Sequence, residues 1–170
     1  MNLIKFSVLV LLSVIAFGCA NYRLAGTSVE LPFSSIYVEP VRNKSYAPQA
    51  SALLTTAISN ALMQCPNVKV ANSSDAQATL KTTLVNYEKR PFASRADDTA
   101  LAAAYRIEAT ALCTLTRSNG EVIFKDRKVK ASTDIYIQAQ NNLIGDEYQN
   151  MPVLMRELGD RVKDAVIGIW

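Results

Sequence analysis

Three cysteines, an adjacent aspartate pair and a run of basic side chains are the groups in this 170-residue sequence whose types could do chemistry, and histidine is absent. Without an imidazole there is no Ser-His-Asp triad, no His-bearing zinc site and no side chain whose ordinary pKa lies near neutrality. The acid pair, Asp97-Asp98, lies in a polar stretch with no apolar or glycine-rich enclosure to raise a carboxyl pKa, so it reads as a solvated loop rather than an acid–base dyad. No GxGxxG, GxxxxGK[ST], CxxC or EF-hand spacing occurs, and six scattered glycines build no phosphate cradle. A nucleophile at Cys65 or Cys113 would lack a histidine base, and both positions fall on apolar faces. The expectation is a protein without catalysis, metal or cofactor.

Cys19 carries a different chemistry. Met1 to Lys5 is a short basic region, Phe6 to Phe17 is apolar apart from Ser7 and Ser13, and Ala16-Phe17-Gly18-Cys19 closes the segment. A dozen helical residues span about 18 Å, short of the roughly 30 Å hydrocarbon core, so residues 1–18 read as a cleaved signal peptide and not a membrane span. A small residue before a cysteine lets the chain enter the peptidase while the thiol accepts a diacylglyceryl group. Ala16 and Phe17 depart from the commonest lipobox, which prefers leucine and then a small residue. The mature chain is expected to start at Cys19, with a diacylglycerol and an acyl chain as its only attachments. Acyl chains contribute about 0.8 kcal/mol per buried methylene, enough for a permanent tether. Residues 19–33 then form a lipidated tether and 34–170 a single domain. In an oxidising compartment Cys65 and Cys113 either close a 48-residue loop as a disulfide, for about 3 to 4 kcal/mol, or remain two buried thiols.

Loss of Lys5 leaves 17 basic against 15 acidic groups, too little net charge for a nucleic-acid footprint. The basic groups are nonetheless uneven, with ten lysines and arginines against six acids between Lys81 and Lys130. This is either a solvated strand surface that discourages edge pairing or an anion-binding surface for lipid phosphates or acidic sugars. Lys89, Arg90 and Arg95 near one strand end are the favoured group, with Lys81, Arg106, Lys128 and Lys130 as further candidates.

These side chains must be positioned by a small set of elements. Ser35–Glu39 alternates and stops at Pro40, giving a first strand. From Pro48, Leu54, Ala57, Ile58, Ala61, Leu62 and Cys65 recur at helical spacing until Pro66. Val68–Ala71 is a short extended piece. Ala78–Tyr87 alternates, with Leu80 and Leu84 against Lys81, Thr83 and Tyr87, and this second strand is expected to end near Pro91, with Arg90–Ala100 as a loop. Tyr105 to Leu115 puts Ile107, Ala109, Ala111 and Cys113 on one face and Arg106, Glu108, Thr110 and Thr114 on the other. Asn119-Gly120 then marks a two-residue hairpin into a fourth strand. There Val122 and Phe124 share one parity and Val129, Ala131 and Ile135 the other, which predicts a bulge in Lys125–Lys128. Asn150 caps a last helix with Pro152 in its first turn and an apolar stripe from Met151 through Leu154, Leu158 and Val162 to Ile169. The order β-α-β-β-β-α predicts an α+β two-layer sandwich: a four-stranded mixed sheet with two α-helices on one face, a helical crossover joining the first two strands, and a hydrophilic second face.

Cys19-Ala-Asn-Tyr22-Arg23-Leu24, Ile36-Tyr37-Val38, Asn43-Lys44-Ser45-Tyr46, Asp75-Ala76, Tyr105-Arg106-Ile107, the Asn-Gly hairpin and a closing helix ending in Trp170 follow one another in an order that resembles the LPS-assembly lipoprotein LptE family over essentially the whole mature chain. The resemblance implies an outer-membrane lipoprotein on the periplasmic side that plugs and helps assemble the LptD β-barrel and meets lipopolysaccharide. Arg95 is the nearest match to a basic residue that the family links to lipopolysaccharide contact. The Cys-x-x-Tyr start has one residue more than the family's usual Cys-Gly-Tyr. The alternative is a lipoprotein whose basic strand face binds peptidoglycan or an acidic polysaccharide.

Overall fold

The computed structural model describes residues 31–47, 49–94, 101–137 and 143–168. Among these, the chain runs β1 (Ser35–Val38), β2 (Arg42–Asn43), α1 (Ala50–Met63), β3 (Lys69–Val70), β4 (Ala78–Ser94), β5 (Ala102–Arg117), β6 (Val122–Tyr136) and α2 (Leu143–Ile167). The sheet order is β3-β1-β4-β5-β6, with β2 also pairing β4. Strand β1 runs parallel to β3 and β4, and β2 parallel to β4, while β4, β5 and β6 form an antiparallel meander. The α+β class and the mixed sheet under two helices stand as expected, but the sheet has six strands instead of four.

The additional strands are two residues each. Lys69–Val70 lies within the extended piece and docks beside β1, so α1 returns the chain first to the sheet edge and only then to β4. Arg42–Asn43 has no apolar alternation, and backbone bonds recruit it: Glu39 N–H donates to the Leu80 carbonyl at 3.0 Å and Lys44 N–H to that of Leu84 at 2.8 Å.

One sheet face and both helices share the core. Leu80, Leu84, Ile107, Leu115 and Ile135 from the strands meet Leu54, Ile58 and Leu62 of α1 and Leu154, Met155 and Leu158 of α2, all fully buried. Each such side chain contributes about 1.5 to 3 kcal/mol. Phe33 is buried in the same cluster and Leu31 packs on it, so the end of the segment read as a tether belongs to the core. The helices meet at Gly159, where an added Cβ would lie 2.9 Å from the backbone carbon of Ala57.

Two irregularities decide which side chains face outward. In β4, Leu84 pairs with Ala111 and Asn86 with Thr110, so Val85 is an extra residue. Before it Lys81 and Thr83 point away from the helices; after it Tyr87 and Lys89 point toward them, because a bulge inverts a period-2 pattern. The placement of Tyr87 beside Lys81 and Thr83 is thereby corrected. In β6 the bulge falls where the parity change predicts it. Lys125 and Asp126 lie between the pairs Leu115–Phe124 and Cys113–Arg127, and Asp126 adopts φ 50° while its N–H donates to Thr114 Oγ1 at 3.1 Å. A further register shift leaves Phe124 packed on the core but Val122 half exposed.

Two other boundaries are corrected. Strand β4 continues through Pro91 to Ser94, so Arg90–Ser94 is strand and not loop; the proline sits beside a register shift, where β4 has no partner on its other side among the described residues. Helix α2 begins at Leu143, so Asn150 and Pro152 are interior residues, not cap and first turn. A proline inside a helix costs about 3 kcal/mol, offset here by burial of Met151, Leu154 and Met155 and by ties from Glu147 to β4. The disulfide is not formed: Cys65 and Cys113 are free thiols. Cys113 lies on the core side of β5 with its sulfur 3.7 Å from Thr82 Oγ1, while the Cys65 thiol donates to the Ala61 carbonyl at the end of α1.

Candidate functional site

The sheet face opposite the helices is open, and register sorts its side chains into rows, since paired residues point the same way. The first rows are Tyr37–Thr79–Thr116–Val122, then Lys81–Thr114, then Arg42–Thr83–Leu112–Lys128, then Asn86–Thr110–Lys130. Glu88–Glu108–Ser132 and Arg90–Arg106–Asp134 follow, ending at Ala104–Tyr136.

The far rows are internally neutralised. Arg90 Nη2 donates to both Glu88 carboxylate oxygens at 2.8 Å. Arg106 grips Asp134 with two hydrogen bonds, at 2.7 and 3.0 Å, and its guanidinium stacks 5.0 Å from the Phe92 ring centre. That fork holds the Asp134 carboxyl below its ordinary value and raises the Arg106 guanidinium. Phe92 meets Tyr136 edge to face, and both rings are substantially exposed, as is Leu101 nearby in sequence to the start of β5. This end of the long hairpin is therefore aromatic as well as charged.

Lys89 lies on the other face. The Val85 bulge turns it toward α2, where its Nζ donates to Glu147 Oε2 at 2.6 Å while Tyr87 Oη donates to Glu147 Oε1 at 2.6 Å. Burial and the adjacent carboxylate raise the Tyr87 hydroxyl. Arg127, also on the helix side, donates to the Ala165 carbonyl of α2 and lies over Phe124. Lys81, Lys128 and Lys130 project from the open face without an ion pair among the described residues. Arg95, Asp97, Asp98 and Cys19 lie outside the described residues.

The six basic candidates among the described residues are thus not brought together. Arg90 and Arg106 share a row at one end, Lys81, Lys128 and Lys130 stand at the other, and Lys89 is behind the sheet. Arg42 joins the second group unforeseen, since a two-residue polar strand leaves no periodic signal. Phe92 was hidden by the reading of Arg90–Ala100 as a loop.

Nothing among the described residues has a catalytic arrangement. Burial pushes the Cys113 thiol up to about 11 and raises that of Cys65, which disfavours the thiolate a nucleophile needs. No group of three potential metal ligands occurs among the described residues. No helix among them is long and apolar enough to cross a membrane.

The fold, a mixed sheet under two helices, is shared with solved structures that include three lipoproteins. A minor lipoprotein of Acinetobacter baumannii is similar over 81% of this chain and 95% of its own, with TM-score 0.53 and 14% identity. A lipoprotein B of Nitrosomonas europaea is similar over 87% and 86%, with TM-score 0.52 and 14% identity. A putative lipoprotein of Caulobacter crescentus is similar over 76% and 88%, with TM-score 0.50 and 14% identity. No curated protein sequence matches. The model of the LptE family, lipopolysaccharide-assembly, matches residues 33–165, and the chain belongs to that family.

Proposed function

We propose that this chain is an outer-membrane lipoprotein, held on the periplasmic side by acyl groups on Cys19, that complexes with an LptD-type β-barrel as its plug and assembly factor in lipopolysaccharide transport to the cell surface. The observation that carries this reading is the family match from residue 33 to residue 165, nearly the whole folded domain. The role needs a body that is hydrophilic on its outside, because the lumen of a membrane barrel is polar. The open sheet face, with its threonines and lysines, meets that requirement. It needs no catalytic group, in keeping with the absence of histidine.

In this reading Arg95 is the principal cation for lipopolysaccharide contact. Arg90 and Arg106 already hold acids and would serve as secondary contacts, while Phe92, Leu101 and Tyr136 offer exposed apolar surface beside them. Copurification after mild detergent extraction tests the reading: an outer-membrane barrel recovered in stoichiometric amount supports it, and free monomer contradicts it.

A further inference from the structure

A groove of about 520 Å³ lies on the helix layer, lined by residues of α1, its C-cap and α2. Strands β2 and β6 both run parallel to β4, and each leads into a helix packed on the same sheet face, so the two helices run parallel to each other. With Gly159 set against Ala57, the rise per residue orders the groove walls along the axes. Pro152 and Leu53 come first, then Arg156, then Asp160, then Asn60 and Gln64. The groove thus presents an apolar end, a cation, an acid and two amides in sequence.

These groups are available. Glu157 and Arg161 close an ion pair at 2.8 Å, yet Arg156 and Asp160, one residue earlier at the same spacing, do not pair. Their order, cation before acid, is the less favourable one on a helix. Lys163 Nζ lies 3.9 Å from Asp160 but 3.2 Å from Asp164, which it serves first. The side chains of Arg156, Asn60 and Gln64 have no hydrogen-bond partner among the described residues.

We infer that this groove binds a free dipeptide whose second residue is apolar. The Arg156 fork takes the carboxylate, the geometry that guanidinium groups match bidentately. Asp160 takes the ammonium, with the amide oxygens of Asn60 and Gln64 as further acceptors. The second side chain then lies over Leu53 and Pro152. Spacing sets the length: four helical residues rise about 6 Å, and two extended residues span at most about 7 Å, against about 3.5 Å for one and about 10 Å for three. The volume falls in the range of small-molecule sites, roughly 300 to 1,000 Å³. A polyanion or lipid phosphate would meet the Asp160 carboxylate beside Arg156, and an acyl chain would run from Leu53 straight into charged groups. The inference is independent of the proposed function, since it uses neither the open face nor the hairpin end.

The test is an NMR titration of the isotope-labelled full-length lipoprotein in detergent micelles with alanyl-leucine, its N-acetyl form and its C-terminal amide. The expected result is saturable shifts at Asn60, Gln64 and Arg156 with a Kd of about 1 mM, the limit that ligand efficiency sets for a molecule of this size. Each blocked form should bind at least tenfold more weakly. Arg156→Met should abolish the preference for the free dipeptide over the amide, and Asp160→Asn the preference over the acetylated form, readouts that a merely structural role of either residue would not give. The absence of saturable shifts at tenfold higher concentration, shifts confined to residues outside the groove, or blocked forms that bind as tightly as the free dipeptide would each overturn the inference.

Discussion

Lys89 Nζ lies 2.6 Å from Glu147 Oε2, joining the bulged half of β4 to the first turns of α2. Burial alone would raise the Glu147 carboxyl, but the hydrogen bonds from Lys89 and Tyr87 outweigh it and hold the group below the ordinary glutamate value. A carboxyl depressed on folding stabilises the native state above its unfolded pKa, about 4.3, and that contribution is lost as pH falls through the lower folded value. Glu147→Gln should therefore cost about 1 kcal/mol at neutral pH. Urea midpoints of the two proteins should converge as the pH falls through the folded value of that carboxyl. A difference that stays constant with pH would show that charge at Glu147 does not hold the helix.

Gly159 is the place where the helices come closest. An added Cβ would press on Ala57 backbone, which cannot rotate away. Overpacking of this kind costs about 1 to 3 kcal/mol, opposed by up to about 1 kcal/mol of helix propensity. Gly159→Ala should lower the thermal midpoint by several degrees, and an unchanged or raised midpoint would show that α1 and α2 have room to separate.

Cys65 is partly exposed and Cys113 is buried, both as free thiols. A thiol reagent at about pH 8 should label Cys65 readily in the native protein and Cys113 only at the rate of global unfolding. Denatured, unreduced protein should release both thiols. Finding neither would mean the two are bonded to each other.

Arg95→Asp should weaken lipopolysaccharide binding about tenfold, equivalent to about 1.4 kcal/mol, with no change in the urea midpoint. Equal binding by the variant would return the hairpin cations to a solvating role.

How much of this was legible depends on scale. The long apolar patterns were read correctly: the α1 stripe through Leu54, Ile58 and Leu62, the core parity of β5 from Ile107 to Leu115, and the parity break at Asp126 that marked a bulge. What failed to register was the Val85 bulge, because polar Asn86 and amphipathic Tyr87 and Lys89 suit either face of a strand. Only the tertiary tie to Glu147 shows the inversion. Pro91 and Pro152 misled for a shared reason. Proline punctuates isolated elements, yet an unpaired strand margin and a well-packed helix both absorb it. The two-residue strands depend on backbone bonds to β1 and β4, which no side-chain period records.

The most direct measurement of the central claim is conditional depletion of this protein followed by quantification of lipopolysaccharide at the cell surface. The account predicts that surface lipopolysaccharide falls as the protein is lost and returns on re-expression of the intact chain. An outer leaflet that keeps its full complement of lipopolysaccharide throughout depletion would contradict it.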